Sequence, residues 1–92
     1  MKITNSIELL EWFKSRAAVD SDYMVSKLTG ISKQAISVVR NGKGEFKDYT
    51  SLKLLLVAEH PEPLKTMALL ESFKAKTKGN EELAKLWRDS AA

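Results

Sequence analysis

"TGISKQAISVVRNGKG", residues 29–44, carries the signals that decide how this chain folds. Gly30 suits the left-handed backbone that closes one helix, and Ser32 is a good N-cap for the next. Ile31 and Ile36 have the spacing of a hydrophobic staple around that cap, and Asn41-Gly42 supplies a stop. The spacing therefore predicts a short, sharply bounded helix over residues 33–41, entered through a tight turn.

An α-helix advances about 100° per residue. With Lys33 at the origin, Ala35, Ile36 and Val39 fall at about 200°, 300° and 240°, so the buried direction is about 250°. The opposite side carries Gln34, Ser37 and Asn41, flanked by Lys33 and Val38. A glutamine amide can bond adenine bidentately, a lysine reaches guanine or phosphate, a serine is a short donor and acceptor, and a valine fits a thymine methyl. A major groove about 12 Å wide admits one helix, and a helix anchored on its far side by a core presents such groups rigidly.

Outward from this stretch, apolar residues recur every three or four positions and almost nowhere alternate, so the whole chain reads as all-α. A first helix is expected over 6–17, with Asn5 as N-cap, Glu8 completing a capping-box-like pair, and Ile7, Leu10 and Phe13 as its buried stripe, widened by Leu9 and Trp12. A second, capped within Asp20-Ser21-Asp22, covers about 22–29 and faces inward through Val25, Leu28 and Met24. A fourth covers about 49–59, with Tyr49, Leu52, Leu55 and Leu56 buried, and ends at Pro61-Glu62-Pro63. A fifth, about 62–76, carries Leu64, Met67, Ala68, Leu69, Leu70 and Phe73, and Lys78-Gly79-Asn80 breaks it. The sixth, about 81–90, presents Leu83, Leu86 and Trp87. Residues 1–60 form the core unit, and residues 61–92 complete the same domain and offer a means of dimerisation.

At 92 residues the chain holds one core at most, and its 43% hydrophobic and 29% charged content suits an ordinary globule. There is no cysteine and a single histidine, His60, so thiolate metal sites are excluded, and no metal or cofactor is expected. No nucleophile and base stand at recognisable spacing, and no glycine-rich phosphate loop is present, so the chain is not read as an enzyme. The longest apolar run, Leu54–Ala58, is far short of the roughly 20 residues of a membrane span. The net charge of +3 lies entirely in residues 21–53, where Lys27, Lys33, Arg40, Lys43, Lys47 and Lys53 face Asp22, Glu45 and Asp48, giving 6 − 3 = +3.

Taken singly these features have plainer readings: helix stops, surface helix formers, a solvated lysine loop. Lys74, Lys76 and Lys78 suit a helix carboxyl end, as does His60 at the end of the fourth helix. Trp12, Phe13, Phe73 and Trp87 read as core or interface residues, since they do not interleave with basic residues as a stacking platform would.

"DYMVSKLTGISKQAISVVRNGKG", residues 22–44, resembles the helix-turn-helix of the lambda-repressor and Cro-like regulators common in phages. The matching residues are Val25, Gly30, Ile31, Ser32, Ile36, Val39 and Arg40-Asn41-Gly42-Lys43. Ser26 stands where that pattern usually has alanine, so its hydroxyl needs a partner such as the carbonyl four residues back. Asp22 or Tyr23 replaces the usual glutamine at the start of the bracing helix. The resemblance implies a compact bundle of five to six short helices, base reading by Lys33, Gln34, Ser37 and Val38, and phosphate contacts from Asn41, Lys43 and Arg40. It implies a small transcriptional regulator, a phage or prophage repressor or Cro-like protein, working in the cytoplasm of a bacterial host on its nucleoid. One recognition helix reads few base pairs, so a homodimer on a palindromic operator is expected, with half-sites about 34 Å apart. The rival reading is a protein-interaction module of the same fold, an antitoxin or an anti-repressor adaptor.

Overall fold

In a computed structural model describing residues 2–91, the chain is built from six helices: α1 Ser6–Arg16, α2 Asp22–Thr29, α3 Lys33–Arg40, α4 Asp48–Val57, α5 Pro63–Thr77 and α6 Glu81–Ser90. Among the described residues there is no strand, so the all-α reading holds. No helix among the described residues is long and apolar enough to cross a membrane.

Local chemistry accounts for most helix ends. The Asn5 side chain accepts from Glu8 N–H, while the Glu8 carboxylate takes the Thr4 N–H at 2.9 Å and its hydroxyl at 2.6 Å. Ser21, Ser32 and Asn80 cap α2, α3 and α6 by accepting from the backbone N–H three residues on. Helix α4 begins one residue earlier than expected, at Asp48, without a side-chain cap. It also stops earlier, at Val57, where Glu59 adopts φ 56° and the His60 N–H returns to the Leu55 carbonyl. The prolines therefore do not end α4, and Pro63 instead opens α5, where its missing N–H costs nothing.

The core gathers Ile3, Leu9, Leu10, Phe13, Val25, Ile31, Ile36, Val39, Phe46, Leu54, Leu55 and Leu70. Leu70, with Met67 against it, brings α5 into the same core as α1–α4. Several expected stripes are rotated. In α1, Ser6, Leu9, Leu10 and Phe13 are buried and Ile7 is exposed; in α2, Val25 and Thr29 are buried while Met24 and Leu28 face out. In α4 the buried face is Ser51, Leu54 and Leu55, leaving Tyr49 and Leu56 exposed and Leu52 half-buried. Leu54–Ala58 is apolar all round, so periodicity does not select a face there; docking on α1, α2 and α5 does. Leu64 is exposed on α5, and α6 buries only Ala84, leaving Leu83, Leu86 and Trp87 at the surface.

Ile3 and Phe46 join the core from outside the helices, without a periodic signal. Phe46 is buried, its N–H donates to Ser6 Oγ at 2.9 Å, and Glu45 Oε1 accepts the Ser6 N–H at 2.8 Å. The loop after α3 is thus tied to the start of α1, which limits how far α3 can move.

Candidate nucleic-acid interface

The two-helix unit α2–α3 is closed by side chains as well as backbone. Gly30, at φ 77°, takes the left-handed conformation and donates its N–H to the Ser26 carbonyl at 2.8 Å. The Ser26 hydroxyl donates forward to the Ile31 carbonyl at 2.7 Å, not to a carbonyl four residues back. The reason is geometric: the chain reverses at Gly30 and brings the Ile31 carbonyl over the last turn of α2. Thr29 Oγ1 meanwhile donates to the Val25 carbonyl and accepts the Ile31 N–H. Ile31 is buried in the middle of this turn, so the hydrogen bonds and the apolar anchor act on one residue.

At its far end α3 closes in a Schellman arrangement, with Lys43 N–H to the Val38 carbonyl at 2.9 Å and Gly42 N–H to the Val39 carbonyl at 3.0 Å. Arg40 ends the helix and Asn41 is its C-cap, one residue short of the expected boundary.

Ile36 and Val39 are buried and Ala35 is half-buried, so the anchored side of α3 is the one the wheel indicates. Lys33, Gln34, Ser37, Val38 and Asn41 are exposed on the other side, followed by exposed Lys43. Asn41 Nδ2 donates to Ser37 Oγ at 3.2 Å, which orients two polar groups as a pair. Val38 sits at the edge beside the following loop; a Cβ on Gly44 would come within 3.0 Å of its Cγ1. Lys33 reaches sideways, its Nζ 4.7 Å from the Tyr23 ring centroid.

Arg40, expected among the phosphate ligands, is paired within the protein. Its Nε and Nη2 donate to the two oxygens of Asp22 at 3.1 and 3.0 Å, and its Nη1 donates to Glu11 Oε1 at 2.7 Å. Bidentate pairing with Asp22, assisted by Lys14, holds that carboxyl below its usual range, and both carboxylates hold the guanidinium firmly protonated. Arg40 thus braces α3 against α1 and α2. Sequence spacing gave no sign of this, because its partners lie 18 and 29 residues away.

Charge separates around this unit. The three carboxylates of residues 21–53 are all engaged internally: Asp22 with Arg40, Glu45 with the Ser6 N–H, and Asp48 with Lys74. Lys27, Lys33, Lys43, Lys47 and Lys53 form no ion pair among the described residues. Lys47 and Lys53 line a groove with Gly30, Ile31 and Tyr49 at the turn itself. The +3 excess is therefore carried by free ammonium groups around α2–α3.

Other expected roles change. His60 is not a helix-end cation: its Nδ1 accepts the Glu62 N–H at 3.0 Å, its Nε2 lies 3.3 Å from Thr66 Oγ1, and its ring packs on Trp12 at 5.0 Å. Burial, with Arg16 nearby, holds it below its ordinary value despite Glu62. Lys74, in the last turn of α5, also bridges to Asp48 at 3.1 Å and Glu71 at 3.3 Å and so ties α5 to the start of α4.

The chain is 73% identical over 92 residues to the uncharacterized protein Gp-c of Pseudoalteromonas phage PM2, covering 100% of both chains. It belongs to the family of Gp-c. No family model matches this chain, and no solved structure matches it either.

Proposed function

We propose that this member of the Gp-c family is a sequence-specific DNA-binding regulator, a phage or prophage repressor or Cro-like protein that inserts α3 into the major groove. The observation that carries the reading is the junction of two features. A polar edge, Gln34, Ser37 and Asn41, stands on a helix whose other side is buried, and five lysines without an ion pair among the described residues lie on α2–α3 or on the segment that follows it. Phosphates would meet Lys43 and its neighbours and supply most of the affinity and its salt dependence, while Gln34, Ser37 and Val38 choose the sequence. Arg40 drops out of the phosphate set and becomes the strut that keeps α3 in register. A two-fold homodimer on a palindromic operator in the host cytoplasm completes the reading, because one helix spans too few base pairs to select a site alone.

Selection of bound sequences from random duplexes tests this directly, and a palindromic motif with half-sites one helical turn apart is the expected result. On that motif Gln34→Ala should lose roughly 1–3 kcal/mol and relax specificity, whereas Lys43→Ala should weaken all sequences alike and lower the salt slope by about one unit. No enrichment at any salt concentration would refute the proposal. A second reading, an antitoxin or anti-repressor adaptor, draws on Leu83, Leu86 and Trp87, which leave α6 an uncovered apolar side. A stable heteromer combined with absence of duplex binding at low salt would favour it.

A further inference from the structure

The flank of α3 that faces α2 holds a cluster that base reading leaves unexplained. Tyr23, 49% exposed in the first turn of α2, has two ammonium groups near its ring, Lys33 Nζ at 4.7 Å and Lys27 Nζ at 5.7 Å from the centroid. Lys27 follows Tyr23 by one helical turn, and Lys33 reaches across from the first residue of α3. Neither lysine has a carboxylate partner among the described residues.

The surrounding charges cancel. Asp22 shares a shallow groove with Tyr23 and Lys33, but its carboxylate is occupied by Arg40 and Lys14, and Glu11 is held by the same two cations. Two carboxylates against two cations leave Lys27 and Lys33 uncompensated. Ring faces attract cations and offset part of the repulsion between the two ammoniums, yet an anion seated between them would remove it.

We propose that Tyr23, Lys27 and Lys33 form a seat for one backbone phosphate of duplex DNA, in which Tyr23 is a positioning residue and Lys33 binds the backbone instead of a base edge. The inference rests on the DNA-binding reading above. On the helical wheel Lys33 lies roughly 70° from the centre of the open face, and its ammonium is drawn farther off that axis by Tyr23. A lysine offers a point charge without a planar fork, which suits a phosphate better than a base edge needing two aligned donors. Resting on the ring also restrains a flexible side chain before binding, so less rotamer freedom is lost in the complex. The base-reading set then reduces to Gln34, Ser37 and Val38.

Two measurements test it together. In the free protein, NMR should find the Lys33 side-chain methylene protons shifted upfield by the Tyr23 ring, with the shift kept in Tyr23→Phe and lost in Tyr23→Leu. On a selected duplex, Lys33→Ala and Lys27→Ala should each lower the salt slope by about one unit and leave the order of preferred sites unchanged. Tyr23→Leu should weaken binding several-fold for all sites alike. A reordering of preferred sites in Lys33→Ala, or unshifted Lys33 methylenes with duplex binding intact, overturns this inference and leaves the DNA-binding reading standing. A wild-type protein that shows the ring shift but binds no duplex at low salt overturns both.

Discussion

The α2–α3 and α5–α6 pairs are punctuated alike: each joins two helices through three residues, with left-handed Gly30 in one turn and Gly79 in the other, and each second helix is capped by a side chain, Ser32 or Asn80. Their outcomes differ. The first turn buries Ile31, and α3 sends Ile36 and Val39 into the core shared by α1, α2 and α4. The second turn is exposed throughout, and α6 lies along α5 with only Ala84 fully covered. Local signals thus set where helices start and stop, whereas apolar residues at the turn and just beyond it decide whether the second helix is anchored to a common core. The anchored helix presents a rigid edge; the other keeps an apolar side open.

The sharpest way to break this contrast is a buried charge. Ile36→Asp should cost at least about 4 kcal/mol and unfold the domain, while Leu86→Asp, at a position 59% exposed, should stay within about 0.5 kcal/mol. Thermal melts followed by circular dichroism compare the two, and equal losses would refute the distinction. A milder probe is Ser26→Ala, which removes the tie to the Ile31 carbonyl within the turn; in α5–α6 the comparable tie, Ser72 Oγ to the Ala84 carbonyl at 2.7 Å, joins the two helices away from their turn. The substitution should cost about 1 kcal/mol in denaturant titrations and more than an alanine at exposed Lys78.

Two other helix ends use the left-handed conformation without glycine, Ala18 and Glu59, both at φ 56°. Replacing either by glycine should raise stability by about 0.5–1 kcal/mol, since the Cβ strain there is relieved. A loss at either position would show that its side chain matters more than its backbone. The smallest effect expected is one of pH at the α4–α5 corner. The folded His60 lies below its ordinary pKa of 6.5, so the unfolded chain binds the proton more readily. Its contribution to stability is full above pH 6.5 and declines as the pH falls below that value, because burial disfavours the charged ring and a proton on Nδ1 would also displace the Glu62 N–H. His60→Gln should flatten this part of a Tm-against-pH curve.

Within the candidate interface, Ser32, Gly30, Ile31, Ile36, Val39 and Gly42 were legible because each acts on neighbours within a few residues. Gln34, Ser37, Val38 and Asn41 followed as the side left over once the anchored side was known. Tyr23 and Lys27 carried a faint signal, their one-turn spacing, but nothing in one dimension brings Lys33 onto the same ring. Arg40 is a related case: the sequence shows a terminal cation beside Asn41-Gly42-Lys43, and only the fold shows that Asp22 and Glu11 hold it.

Helix number, order and most boundaries were written in the sequence, since capping and left-handed closure act over about one turn of backbone. Tertiary structure alone decided which side of the all-apolar stretch in α4 is covered, that Phe46 and Ile3 belong to the core, that α6 keeps Leu83, Leu86 and Trp87 outside, and which cations remain free. Burial and ion pairing depend on groups distant along the chain, and only folding sets the distances between them.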